Sequence, residues 1–373
     1  MVVDPWHFPR REFTARVLKL LGDGPGQALT LFGPRRTGKT EFLLKDLAPL
    51  AEQRRHRVIY ASFWQAPLSP LAVLLHAMET SLLRGTFSDR VRRSVLGLTP
   101  TLKLSAFGAG VEAKVDLTAL GGRPPDDLLV HLDDLLERVS GRSKATILLL
   151  DEVQEFARSA GNAPLVAALR TGLDRRSDRL RTVFTGSSRD GLAAMFSARR
   201  APFFHFATPI DLPALGEAFV DHMIEVFRVV SRRTLARPGM LSAFERLHAN
   251  PHFFRVLLDT LLHDPHLDVE SALARVRDRI AVDLGYPATW LALTPVQRAT
   301  ARALAGGADR PFGRAFRRQV GDAIGESAPS PGRVQAALRR LERLGLADTS
   351  TGGWALVDPE LAAWIREYDD GSR

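Results

Sequence analysis

Cysteine is absent from the 373 residues, which excludes a disulfide framework and a thiolate metal site. Lysine is nearly as scarce. Only residues 19, 39, 45, 103, 114 and 144 are lysines, so 45 of the 51 basic residues are arginines. Such a skew arises from a GC-rich genome as readily as from function, and the net charge of +9 therefore argues only modestly for an anionic partner. No apolar run approaches the length of a membrane-spanning helix, and the N-terminus lacks the basic, apolar and small-residue pattern of a signal sequence. A cytoplasmic protein without a membrane partner is expected. What remains is ordinary globular composition, 45% hydrophobic and 25% charged, at a length that suits two or three domains.

One stretch organises the rest. Gly33-Pro34-Arg35-Arg36-Thr37-Gly38-Lys39-Thr40 fits the phosphate-loop pattern G-x-x-x-x-G-K-[ST]. An apolar strand, residues 28–32, precedes it, and a helix beginning with Glu41 follows. Glycines let backbone N–H groups curl around a polyphosphate, and the helix N-terminus adds its positive end. Lys39 reaches β- and γ-phosphates in such a loop, and the Thr40 hydroxyl is placed to hold Mg²⁺. Residues 145–152 form a second signal, an unbroken apolar run ending in Asp151 and Glu152. That pattern fits the buried centre of a parallel sheet, with carboxylates at the strand end where ligands bind. Asp151 is the candidate for organising Mg²⁺, and Glu152 for orienting and polarising an attacking water. The guanine-reading sequence Asn-Lys-x-Asp is missing, which favours ATP and ADP as the nucleotides.

Alternating strands and helices continue through residues 56–63, 70–83, 125–139, 181–188 and 203–206. They predict a doubly wound parallel sheet of about five strands over residues 1–210. Residues 100–118 alternate on both sides of a Gly-rich turn and predict a β-hairpin insertion. Residues 211–285 read as wholly helical, and Tyr286-Pro-Ala-Thr289 as a boundary. In residues 286–373, three helices and two short strands around Gly352-Gly353 spell a winged helix. Its third helix carries Arg333, Gln335, Arg339, Arg340 and Arg343, residue types suited to phosphates and base edges of double-stranded DNA. The expected fold class is thus an α/β P-loop NTPase core followed by an all-α lid and a C-terminal winged-helix domain.

Together these pieces resemble the AAA+/STAND branch of P-loop ATPases, in particular the archaeal-type ATPases. Residues 33–40 look like that family's Walker A, and Leu150 to Glu155 like its Walker B. Thr185-Gly-Ser187-Ser188 is similar to its sensor-1 strand end, which implies that Ser187 senses the γ-phosphate. Residues 8–13 resemble its Phe-x-x-Arg-Glu segment, which implies an adenine-side contact at Arg11. The family's Gly-x-Pro in the lid falls on Ala249-Asn250-Pro251, with the glycine replaced, and implies a nucleotide contact at Pro251. Arg199 and Arg200 lie where relatives carry an arginine finger, and Arg255 stands at a position for a sensor-2 arginine.

The resemblance implies a regulatory ATPase acting as a nucleotide-dependent switch that assembles into a homo-oligomer in the ATP state. Two alternatives remain beside it: a DNA-handling ATPase of the initiator or transposition-regulator type, and a nucleotide-stabilised scaffold for an effector protein.

Overall fold

The computed structural model describes residues 4–23, 26–64, 69–82, 125–141, 144–187, 189–196, 201–308, 310–349 and 353–370. The hairpin expected at 100–118, and Arg199 and Arg200, lie outside them. The chain divides into two compact units, residues 7–214 and residues 215–373 together with the N-terminal end.

In the first unit, β1 (Ala28–Phe32), β2 (Val58–Ser62), β3 (Thr146–Asp151), β4 (Leu180–Gly186) and β5 (Thr208–Asp211) form one sheet in the order β2-β3-β4-β1-β5. Every pairing is parallel. The central strand β3 reads as a nearly continuous apolar run because both its faces are covered, whereas the edge strand β5 is largely exposed. Period-two alternation sorts the strands' side chains. Leu29, Leu31, Val58, Ile147, Leu149 and Val183 pack on one face with α1 (Arg11–Asp23) and with a helical stretch that starts at Lys39. Ala28, Ile59, Ala61, Leu148, Leu150 and Phe184 pack on the other. There they meet α4 (Pro70–Leu82), α5 (Pro125–Val139) and α6 (Ala163–Arg175).

The helical stretch after β1 is not uniform. It runs from α2 (Lys39–Glu41) through a π-helical segment, Phe42–Leu47, into α3 (Ala48–Gln53). A short helix, α7 (Arg189–Phe196), follows β4. The strand expected at 203–206 is a turn instead. His205 has φ 54°, and the Phe206 amide bonds back to the Phe203 carbonyl at 2.9 Å. The apolar character of this segment serves packing: Phe203 and Phe206 place their rings 5.2 and 6.1 Å from that of Phe184. The edge strand β5 begins two residues later.

Among its described residues, the regular structure of the second unit is helical except for one antiparallel strand pair. Helices α8 (Glu217–Ser231), α9 (Arg237–Arg246), α10 (Pro251–His263) and α11 (Val269–Asp283) follow one another. The buried rings of Phe219, Phe244 and Phe254 sit 5.0–5.8 Å apart. The segment read as a boundary is itself a helix, α12 (Tyr286–Ala292). Its Pro287 occupies the first turn, where the missing N–H does no harm. Then come α13 (Pro295–Ala305), α14 (Arg314–Ile324) and α15 (Pro331–Arg343), the antiparallel pair β6 (Ala347–Asp348) and β7 (Ala355–Leu356), and a closing helix α16 (Pro359–Asp370). One hydrophobic cluster runs through all of them, from Tyr286 and Trp290 to Leu361 and Ile365. Among the described residues, no helix is long and apolar enough to cross a membrane.

Candidate functional site

The phosphate loop leaves β1 and turns into α2 through Gly38, whose φ of 90° lies in the left-handed region open to glycine. Lys39 follows directly, 5% exposed, and its ammonium donates to the carbonyls of Gly33 at 2.5 Å and Pro34 at 2.8 Å. The lysine thus lies along the inside of its own loop. Burial lowers its pKa, an effect opposed by the negative charges of Glu152 and Asp151. Pro34, Arg35 and Arg36 are exposed, and the Arg35 guanidinium lies 5.5 Å from the centre of the Trp64 ring.

Asp151 ends β3, beside β1's partner strand β4, and is 1% exposed. Three hydroxyls surround its carboxylate. Thr40 donates to Oδ2 at 2.7 Å, Tyr60 donates to the same oxygen at 3.0 Å, and Thr185 donates to Oδ1. Burial pushes the Asp151 pKa up, the Thr185 and Thr40 hydroxyls pull it down, and the charge of Glu152 adds to the rise. Burial also raises the Tyr60 phenol well above its ordinary range.

Glu152 sits one residue on and faces elsewhere because its backbone is left-handed, φ 59° and ψ 47°. Its amide donates to the Thr185 hydroxyl at 3.4 Å. Its Oε2 accepts from the Ser187 hydroxyl at 2.8 Å and from the side-chain amide of Gln154. Gly186 makes room for this arrangement. A Cβ there would stand 2.6 Å from Gln154 Oε1 and 2.8 Å from Leu192.

The loop is also held from behind. Arg10 donates to the Thr37 carbonyl at 3.1 Å and to the Pro213 carbonyl. Asp46, in the π-helical segment, lies 2.7 Å from His7 Nε2 and accepts from the Arg10 amide at 3.4 Å. Burial lowers the Arg10 pKa, with Asp46 and Glu41 acting in the opposite sense.

A strand–loop–helix with buried lysine, joined through Thr40 to a carboxylate at the end of β3, one strand removed across β4, is a phosphate-binding architecture. No family model matches the chain, and no curated protein sequence matches it. Solved structures do. The Walker-type ATPase PABY2304 of Pyrococcus abyssi superposes with TM-score 0.63 at 18% identity, covering 96% of each chain. The ORC2 protein of Aeropyrum pernix in its ADP form gives TM-score 0.56 at 16% identity, over 96% of this chain and 91% of that one. Its ADPNP–ADP complexes give 0.56 at 17%, over 98% and 97%. The chain shares the fold of these structures, a P-loop NTPase core built on a five-stranded parallel sheet and followed by helical domains.

Within this fold, residues 33–40, Asp151, Glu152 and Ser187 lie together at the C-terminal ends of β1, β3 and β4. Ser187 touches Glu152, so its place is beside the carboxylate. Glu41, half-buried, pairs with Lys45 at 2.8 Å, one turn along the helix. Arg11 is the first residue of α1 and exposed, and the neighbouring Arg10 reaches Thr37. Pro251 is buried at the start of α10, where Asn250 caps the helix by accepting from the His252 and Phe253 amides. Arg255, in the same unit, donates to the Trp6 carbonyl at 2.6 Å. Sequence reasoning missed Arg10, Tyr60, Gln154 and Thr185. Arg10, Gln154 and Thr185 lie within the motif segments but have no role assigned by them, and Tyr60 has no sequence signal at all.

Proposed function

We propose that this chain is a Mg²⁺-dependent ATPase used as a nucleotide-driven regulatory switch. The contact between Thr40 and Asp151, with Glu152 next in the chain, carries this reading. A hydroxyl and a carboxylate oxygen are the donor types that a hard cation takes. Thr40 and Asp151 would hold Mg²⁺, which supplies positive charge to the β- and γ-phosphates. The loop amides of residues 33–40 bind the polyphosphate. Lys39 exchanges its two carbonyl partners for phosphate oxygens. Glu152, oriented by Ser187 and Gln154, accepts a proton as the water oxygen bonds to the γ-phosphorus and the bond to the β-phosphate oxygen breaks. Pro251 in the helical segment and Arg199 or Arg200, the last from a neighbouring copy in an oligomer, are proposed as further nucleotide contacts on the strength of their sequence positions. Segments 211–285 and 286–373 are read as lid and winged helix, which would report the nucleotide state to an effector.

The decisive experiment is ATP turnover with Glu152→Gln and Lys39→Ala. The first should bind ATP and lose hydrolysis by about 10²-fold or more, and the second should fail to bind. Wild-type turnover in Glu152→Gln would remove Glu152 from this role.

A second reading, DNA handling, has its own support. Helix α15 buries Val334, Ala337, Leu338 and Leu341, leaving Arg339, Arg340 and Arg343 exposed. Arg333 is exposed too, paired with Glu326 at 2.5 Å. If this face meets duplex DNA, Arg339→Ala with Arg340→Ala should weaken binding and flatten its salt dependence by about one unit of slope per lost phosphate contact.

A further inference from the structure

A cavity of about 590 Å³ opens in the first unit, lined by Leu18, Lys19, Arg54, Lys144, Ile147 and Arg181 among others. It belongs to the end of the sheet away from the phosphate loop. Lys144 and Ala145 precede β3, Arg54 and His56 precede β2, and Arg181 is the second residue of β4. A five-residue strand such as β1 spans about 17 Å, so the two regions do not merge. One wall is a single stripe of α1, with Ala15, Leu18, Lys19 and Gly22 at helical spacing. Leu18, Leu21 and Ile147 are all but fully buried and make an apolar floor.

The charged part of the lining is cationic. Lys19, Arg54, Lys144 and Arg181 contribute four positive groups, and no acidic residue is among the described lining side chains. None of the four forms an ion pair with a described carboxylate. Arg181 is fixed by carbonyls alone: its Nε donates to Leu21 at 2.7 Å, and its Nη1 donates to Ser177 and, at 3.4 Å, to Leu180. Carbonyls orient the guanidinium without cancelling its charge. His56 is likewise set, with Nδ1 2.8 Å from the Ala145 carbonyl, so that nitrogen carries a proton. Arg54 ends α3, where a cation complements the helix dipole. The dipole accounts for one charge at one helix end, and does not explain four cations lining one cavity. The chain's lysine usage points the same way, since two of only six lysines are here.

We propose that this cavity binds a multiply charged organic anion of mononucleotide size, a phosphate-bearing molecule with an apolar or aromatic body. Its volume falls within the range of small-molecule sites, about 300–1,000 Å³. Like-sign charges around low-dielectric walls concentrate such an anion from solution. The site is separate from the phosphate loop and does not depend on ATP binding there.

Pyridoxal 5′-phosphate is a suitable probe, because it joins a phosphate to an aromatic ring and carries an aldehyde. The aldehyde condenses with a lysine ε-amine, releasing water, and borohydride reduces the resulting imine to a stable amine. Peptide mapping then reads the six lysines individually. Lys19 and Lys144 should label at about tenfold lower probe concentration than Lys45. Excess inorganic pyrophosphate should protect them. Arg54→Glu, a change at an exposed position, should reduce their labelling about tenfold while leaving Lys45 unchanged. Even labelling of all lysines, or indifference to Arg54→Glu in protein of unchanged circular dichroism, would overturn the proposal. So would protection by duplex DNA but not by pyrophosphate, which would make the occupant a nucleic acid.

Discussion

Ser187 donates to Glu152 Oε2, at 2.8 Å, the same oxygen that accepts from the side-chain amide of Gln154. Two donors on one oxygen fix the carboxylate's rotation and leave Oε1 for other work. If Glu152 handles the attacking water, Ser187 is a positioning residue. Ser187→Ala should lower kcat for ATP about tenfold with little change in KM, and Ser187→Thr should restore most of it. Steady-state kinetics on the three proteins decides. An equal loss in both substitutions, carried by KM, would instead place Ser187 on the nucleotide.

Tyr60 offers a test on stability alone. Its hydroxyl donates to the buried Asp151 carboxylate at 3.0 Å. Tyr60→Phe keeps the ring and removes the bond, so denaturant unfolding of the first unit should show a loss of about 1 kcal/mol. No change would mean that the Thr40 and Thr185 hydroxyls satisfy Asp151 by themselves.

Glu360 gives stability a pH dependence. It is 7% exposed, and its pKa is pushed up to about 7, first by burial and then by Asp358, with Arg277 opposing and Glu367 adding. The folded value exceeds the unfolded one, so this group's stabilising contribution is complete below about pH 4.5. It is lost as pH rises toward 7, a change of up to about 3 kcal/mol. Glu360→Gln mimics the protonated form and should equal the wild type near pH 5 but exceed it at pH 8. Melting curves at the two pH values measure the difference. An identical pH profile for both proteins would show that Glu360 ionises without penalty.

Much of this molecule was legible in its sequence. The loop at 33–40 and the strand ending in Asp151 and Glu152 declared themselves because their chemistry is local: each needs particular residues at fixed spacing along one strand and its turn. Features built from distant residues did not. Nothing near Tyr60 in the chain says that its hydroxyl meets Asp151, because that depends on β2 lying beside β3. Arg10 and Arg11 are indistinguishable by type, and only the start of α1 decides which one reaches Thr37. Residues 203–206 misled because aromatic residues buried in a turn have the same apolar pattern as a strand. Helix α16 escaped notice because its apolar positions make sense only against Tyr286 and Trp290, some seventy residues earlier in the chain.

The left-handed backbone at Glu152 carries a consequence for how this position tolerates change. Holding a residue with a Cβ in that conformation costs about 1–2 kcal/mol, whereas glycine bears almost none of it and asparagine less. Selection for folding alone would therefore replace the glutamate. Glu152→Gly and Glu152→Asn should melt at higher temperature than the wild type while losing hydrolysis. Such a trade-off marks a residue retained for its chemistry against the preference of its own backbone.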